Sequence, residues 1–518
     1  MRYPISVQTF ETIIEGGYVY VDKTDLVYDL AQEHVCFLSR PRRFGKSLLL
    51  STLEAYFLGR KELFTGLKME ALENDWLTYP VFRLDFADGN YAKAGELEKT
   101  LSWYMDQWEE QYDIPTNRDI PSEKRFRIIL DTAVKRTGRK AVVLIDEYDK
   151  PLLDVIGEEQ ENINRNILKG FYGTFKAADA SLRFVLLTGV TKFSQISVFS
   201  GFNQPNDISM NSKFDALCGI TEEELYSVFA EPIRQMAISL KYSEDKMKAI
   251  LKKKYDGYHF SKALLDVYNP FSLINAFNSM DIQDYWYRSG TPTYLAKLLE
   301  DHEVNMKELL SQPYEPRYFV DYRADVENPL AMLYQSGYLT IKDYDEQDWV
   351  YTLDYPNDEV CNGFVTLTAK GYFKKPEDEA AHWILNLARM LRRGALDEVR
   401  DAFTAFLASI SYEANKNERA KDFESHFSYT FYLIFRMLSC YTILIEKENS
   451  KGRADVIIEC DNGIYIFEFK LDKSAQEALD QIEKQQYALP YLTDPRPVHK
   501  IGVNISSASR TVDDWLEA

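Results

Sequence analysis

Short uninterrupted apolar runs alternate along this chain with longer stretches in which apolar residues recur every three or four positions. The first kind predicts buried strands and the second amphipathic helices. Val35-Cys36-Phe37-Leu38 reads as a strand, and the apolar-rich Leu48 to Phe57 as the helix after it. Ala141-Val142-Val143-Leu144-Ile145 and Phe184-Val185-Leu186-Leu187 read as two further strands. From about 216 the pattern is mainly helical. Thr221-Glu222-Glu223-Glu224 sets a threonine cap ahead of acids in a first turn, and Pro270 and Pro292 punctuate later helices. Gly337-Tyr338-Leu339-Thr340-Ile341 reads as a strand after a helix. Beyond 346 the chain starts acidic and strand-like, then turns helical from His382 to Ile410. Near the end the period drops to two. Apolar, β-branched runs flank Cys460-Asp461-Asn462-Gly463, and Asn-Gly is a strong hairpin signal. Ser474-Ala475-Gln476-Glu477 then forms a capping box, followed by a stripe of Ala475, Ala478, Leu479 and Ile482.

A chain of 518 residues exceeds what one core supports. The pattern divides it into an α/β core over 1–215, a helical or winged-helix lid over 216–345, a mainly helical connector over 346–414, and a second α/β domain over 415–518. No internal repeat or low-complexity linker separates them.

Composition narrows the class. Hydrophobic residues make up 45 % and aromatics 14 %, with 35 tyrosines, which suits a folded protein. No stretch approaches the roughly 20 apolar residues of a membrane span, and the first residues lack a signal-peptide layout. Cys36, Cys218, Cys361, Cys440 and Cys460 are scattered without paired spacing. They read as reduced residues of a cytoplasmic protein, and the six histidines do not cluster. Net charge is −20, from 61 basic and 81 acidic side chains, and from Asn415 onward 13 basic against 17 acidic residues leave −4. This counts against an obvious nucleic-acid binder, and any such groove has to be local or supplied by an oligomer or partner.

Two clusters carry chemistry. After the first strand comes Ser39-Arg40-Pro41-Arg42-Arg43-Phe44-Gly45-Lys46-Ser47, then a helix. Strand, loop ending Gly-Lys-Ser, helix is the phosphate-binding P-loop arrangement. Residues Arg40, Pro41, Arg42, Arg43, Phe44, Gly45, Lys46 and Ser47 are the candidate nucleotide-binding segment. Lys46 reaches the β- and γ-phosphates of ATP and Ser47 ligates Mg²⁺. Arg40 stands where such loops ordinarily have glycine. The strand ending Asp146-Glu147 is the matching acidic motif, with Asp146 for Mg²⁺ and Glu147 to polarise water. Thr188, or failing it Thr191, is the candidate γ-phosphate sensor at the end of a third strand. Phe10, Ile13, Ile14, Tyr18 and Tyr20 pack either on a base or, more simply, in the core. Arg183 is a candidate arginine finger or a plain strand-flanking charge.

In the hairpin, folding about Asn-Gly brings Asp455 opposite Glu468 or Lys470, depending on which pair forms the turn. Side chains alternate faces, so Glu468 and Lys470 share one. Two carboxylates and an ammonium at the end of an apolar hairpin suit a divalent cation such as Mg²⁺, bound by Asp455 and Glu468, with Lys470 steadying negative charge.

Asp455 followed by Glu468-Phe469-Lys470 resembles the core of the PD-(D/E)XK nuclease superfamily. The resemblance implies a preceding acidic helix, offered by residues 419–439 with Glu424, and a polar residue on the following helix, Gln481 or Gln485. With the Arg-Pro-Arg-Arg-Phe loop, Leu144-Ile145-Asp146-Glu147-Tyr148-Asp149, Tyr20-Val21-Asp22-Lys23-Thr24 and Thr188-Gly189-Val190-Thr191-Lys192-Phe193-Ser194, nearly the whole chain resembles the bacterial AAA-ATPase-like family with a C-terminal nuclease-like domain. That resemblance implies a fold and two sites, with ATP and Mg²⁺ as cofactors; DNA or RNA is the candidate substrate, homo-oligomeric assembly is left open, and no membrane partner is expected. An ATP-dependent regulator joined to a Mg²⁺-dependent nuclease is the expected function. The rivals are a nucleotide-switched scaffold whose nuclease-like domain binds without cutting, and a motor that only translocates.

Overall fold

The computed structural model describes residues 1–192, 205–289, 295, 306–310, 312–320, 329–364, 377–409, 433–435, 438, 448–449, 452–453, 456–460, 462–509 and 511–518. The chain falls into two compact units. Unit 1 is Met1–Val304 with Leu309–Val360, and unit 2 is Asn305–Glu308 with Cys361–Ala518.

Unit 1 is built on a five-stranded parallel sheet. Its strands are β1 (Val35–Ser39), β2 (Val81–Asp85), β3 (Ala141–Asp146), β4 (Leu182–Gly189) and β5 (Asn206–Asp207), in the order β2-β3-β4-β1-β5. All six residues of β3 are buried, and so are all those of β4 except Arg183. Such all-apolar strands need cover on both faces, which parallel sheets receive from crossover helices. β4 comes late in the chain yet lies between β1 and β3. Leu38 pairs with Thr188 on one side, and Ile145 with Leu187 on the other. The loops after β1, β3 and β4 therefore converge at one edge, where open α/β sheets bind ligands.

Of the N-terminal apolar residues, Phe10 and Ile13 are core, while Ile14, Tyr18 and Tyr20 are half-buried. Phe10 and Ile13 are buried, Phe10 packs 4.9 Å from Phe64 and 5.3 Å from Tyr20, and its amide donates to Ser51 Oγ at 2.9 Å. Helices Glu222–Val228, Ala230–Ser239, Glu244–Tyr255 and Pro270–Ser279 enclose a second core around Leu225, Phe229, Ile233 and Phe277. Tyr3, Val19 and Val21 from the chain start pack against it. Thr221 and Glu224 form a complete capping box, and Glu224 also receives Lys23 Nζ at 2.7 Å. Short antiparallel pairs, β6 (Ile220–Thr221) with β7 (Val267–Tyr268) and β8 (Thr340–Asp345) with β9 (Val350–Asp354), complete this region.

Unit 2 contains helices Glu377–Arg393 and Leu396–Ser409, the short pair β10 (Glu448–Asn449) and β11 (Gly452–Arg453), and a four-stranded sheet. Its strands β12 (Val456–Cys460), β13 (Gly463–Leu471), β14 (Val498–Ser506) and β15 (Thr511–Glu517) pair in that order. β12–β13 is the expected hairpin, antiparallel, with Cys460 opposite Gly463. β13 and β14 run parallel, and helix Ala475–Gln485 makes the crossover. A Cβ on Gly502 would fall 2.2 Å from Ala475 O, so glycine lets the helix lie directly on β14. No helix among the described residues is long and apolar enough to cross a membrane.

Candidate functional sites

Arg40 begins the loop after β1. Its side chain is 1 % exposed and turned into the protein. Nη1 donates to Ser39 O and Ser209 O at 2.9 and 2.8 Å, Nη2 donates to Phe214 O at 3.2 Å, and the guanidinium lies 4.0 Å from the Phe260 ring centre. Its amide donates to Gly189 O at 3.2 Å. Arg40 is thus a strut beneath the loop, its Nη atoms held by carbonyls. A buried guanidinium needs its donors met, and three carbonyls take Nη1 and Nη2, while Nε is buried without a hydrogen bond among the described residues. Burial lowers its pKa below the usual arginine value, countered by charges including Asp215.

Pro41 has no amide hydrogen and is pressed by Gly337. That residue has φ +88°, and a Cβ on it would lie 2.6 Å from Pro41 Cβ. Phe44 is buried edge-on against Tyr258 at 4.7 Å and Phe260 at 5.6 Å. Packing therefore shapes this loop where glycine would ordinarily give it freedom. The left-handed conformation survives at Arg43 (φ 68°) and Gly45 (φ 94°), an alternation that turns successive amides to one side. Lys46 opens helix Lys46–Phe57 and is 5 % exposed, its Nζ donating back to Arg40 O at 3.0 Å and Pro41 O at 3.2 Å. Ser47 follows, half-buried, in the first turn.

The acids stand at the same edge. Asp146 ends β3 and is buried, and its Oδ1 accepts from Thr188 Oγ1 at 2.8 Å and from the Glu147 amide at 3.1 Å. Its Oδ2 is buried and makes no hydrogen bond among the described residues. One oxygen is anchored and the other is bare, which is the arrangement a bound divalent cation would satisfy. Thr188 therefore orients Asp146. Glu147 takes φ 51°, an uncommon conformation for its type, at the turn out of the strand.

Sequence reasoning gave Asp149 no role, yet it is central here. Its Oδ2 accepts from the amides of Val190 and Thr191 at 3.0 and 2.6 Å and from Thr191 Oγ1 at 2.7 Å. Thr191, the fallback sensor, is thereby committed to Asp149. Burial first, then the charge of Glu147, pushes Asp149 up to about 6, with Lys46 pulling the other way. Asp85 ends β2 opposite Asp146, and burial with that neighbour's charge raises its pKa too. Acids at the end of β2 and just past the end of β3 were the available signal. Arg183 lies at the far end of β4, about 16 Å from Thr188 at strand rise. It donates there to Glu33 O at 3.3 Å.

In unit 2 the pairs from Cys460–Gly463 to Val456–Phe467 select one of the two anticipated registers. Glu468 is 1 % exposed, and Lys470 Nζ donates to Glu468 Oε1 at 2.9 Å and to Gln481 Oε1 at 2.7 Å. Of the two glutamines considered, Gln481 is the one that reaches Lys470. Asp455 and Glu424 lie outside the described residues. Among the described residues no three His, Cys, Asp or Glu side chains gather as a metal cluster. The carboxylate of Glu468 is the oxygen donor present for a hard cation.

A family described as a predicted AAA-ATPase matches residues 4–199, and the PD-(D/E)XK nuclease superfamily matches residues 422–515. A protein of Azotobacter chroococcum mcd 1, described as an uncharacterized protein in the vnfD 5' region, is 34 % identical over 522 aligned residues. The match covers 99 % of this chain and 98 % of that protein. The chain belongs to this AAA-ATPase-like family. Its architecture joins an ATPase-like domain to a nuclease-superfamily domain, as the sequence motifs imply. The P-loop, Asp146 and Thr188 fall within the first matched segment, and Glu468, Lys470 and Gln481 within the second.

Proposed function

We propose that this protein is an ATP-binding, ATP-hydrolysing regulator coupled to a Mg²⁺-dependent nuclease acting on DNA or RNA. In unit 1, Lys46 and the amides from Arg43 to Ser47 receive the phosphates, while Ser47 and Asp146 Oδ2 face the cation. Glu147 polarises the attacking water, and Thr188 senses the γ-phosphate through its hold on Asp146. In unit 2, Glu468 and Asp455 share a cation. Lys470, oriented by Gln481, steadies charge on the scissile phosphate, and Glu424 is a supporting acid. At both sites Mg²⁺ supplies Lewis-acid charge when bound.

The observation that carries the reading is the Glu468–Lys470–Gln481 chain of hydrogen bonds, found in a polypeptide that also bears the P-loop sheet. A lysine fixed between a buried carboxylate and an amide oxygen is held for work on an anion. The burial of Cys36, Cys218, Cys361 and Cys460 suits reduced side chains in a cytoplasmic setting.

The test is cleavage of double-stranded DNA, single-stranded DNA and RNA with Mg²⁺, with and without ATP. Cutting that is lost in EDTA and in Asp455→Ala and Lys470→Ala supports the reading. No cutting of any polymer under any condition leaves the nucleotide-switched scaffold. Nucleic-acid-stimulated ATP turnover without cutting, abolished in Glu147→Gln, points to the motor.

A further inference from the structure

Trp286 belongs to neither motif, yet its side chain ends on the phosphate loop. The indole Nε1 donates to Arg42 O at 3.0 Å, and the ring packs edge-on against Tyr338 at 5.2 Å. The Trp286 amide donates to Glu359 Oε1 at 2.6 Å, and the other oxygen of Glu359 accepts from Ser272 Oγ at 2.7 Å. Glu359 is 1 % exposed, so both bonds lie in the interior.

The peptide unit is planar and trans, so its C=O and N–H point in opposite directions. Holding the Arg42 carbonyl on one side aims the Arg43 N–H to the other. That amide is the first of the stretch from Arg43 to Ser47. An anion that turns the 42–43 peptide must move the indole or break its bond. The indole's backbone is tied to a buried carboxylate, which is costly to leave under-satisfied. Glu359 lies in a helical stretch over residues 358–364, within which the chain passes from unit 1 to unit 2 at Cys361.

We propose that Trp286 is a positioning residue for the phosphate cradle, and that Trp286 with Glu359 carries occupancy of the loop into the chain entering unit 2. The inference rests on the ATP reading above. It is tested by hydrogen–deuterium exchange on the full chain at Mg·ATP concentrations that saturate each variant by calorimetry. In wild type, Mg·ATP should slow exchange at least twofold in helix Lys46–Phe57 and alter it in Gly463–Leu471 and Ala475–Gln485. Trp286→Phe keeps an aromatic ring without the N–H, and Glu359→Gln weakens the second tie. Both should keep the response of the loop helix and lose that of unit 2, a split that mere destabilisation does not produce. Should Trp286→Phe fail to fold, Glu359→Gln decides alone. Variants that transmit as wild type does overturn the inference, and so does a wild type that binds Mg·ATP with no response in unit 2. A wild type that gives no Mg·ATP binding heat overturns the ATP reading itself.

Discussion

Lys46 spends its charge on two carbonyls of its own loop, Arg40 O and Pro41 O. A phosphate is a stronger partner for an ammonium than a carbonyl is, because both groups carry charge. Lys46→Ala should therefore weaken Mg·ATP binding by about 1.5–3 kcal/mol, roughly 10- to 150-fold, read by titration calorimetry. At Gly189 the constraint is steric. A Cβ there would lie 2.5 Å from Asp149 Oδ1 and 2.7 Å from Tyr148 Cδ1, both buried. Gly189→Ala should lower stability by about 1–3 kcal/mol, the usual range for overpacking, and a thermal melt compared with wild type checks it. Arg40 shows the limit of reading residues singly. Its sequence neighbours predict a phosphate ligand, while the carbonyls of Ser209 and Phe214, 169 and 174 residues away, claim its guanidinium.

At the scale of elements, the crossover helix of unit 2 depends on its cap and on one close approach. Ser474 Oγ accepts from the Glu477 amide at 3.2 Å, and losing such a cap costs about 1 kcal/mol. Gly502 faces Ala475 O, a backbone atom that cannot rotate aside. Gly502→Ala should therefore destabilise unit 2 more than Ser474→Ala does. Urea unfolding followed by exchange in β13 and β14 would show the order, and equal effects would count against the close-packing argument. Strands β1, β3 and β4 were legible in the sequence because strands covered on both faces are apolar throughout. Their order was not, because the insertion of β4 between β1 and β3 is a long-range pairing. The hairpin was legible through Asn462-Gly463, but its register awaited the pairs themselves.

For the whole molecule, buried acids in unit 1 make stability depend on pH. Burial raises Glu359 from 4.5 to about 7 and Asp256 from 3.8 to about 7. Glu359 is faced by Asp284 and Lys254, and Asp256 by Asp266, Lys252 and Glu222. A carboxyl with a raised folded-state pKa binds its proton more tightly in the folded chain. Its stabilisation is complete below the unfolded pKa, near 4, and is lost as pH rises through about 7. Unit 1 should therefore lose on the order of 2 kcal/mol per group between pH 5 and 8. Glu359→Gln should flatten that slope, as measured by chemical denaturation at both pH values.

By itself the sequence determined which candidate motifs this chain carries. Gly45-Lys46-Ser47, Asp146-Glu147 and Glu468-Phe469-Lys470 are local patterns, and local patterns are set by chain neighbours and by the periodicity of strand and helix. Tertiary structure alone decided who holds whom. Gln481 reaches Lys470, Thr188 steers Asp146, Asp149 gathers the amides after β4, and Trp286 grips a carbonyl 244 residues away. The reason is that these are hydrogen bonds between separate segments, made only where sheet order and packing bring a donor within about 3 Å of an acceptor. No spacing along the chain records that distance.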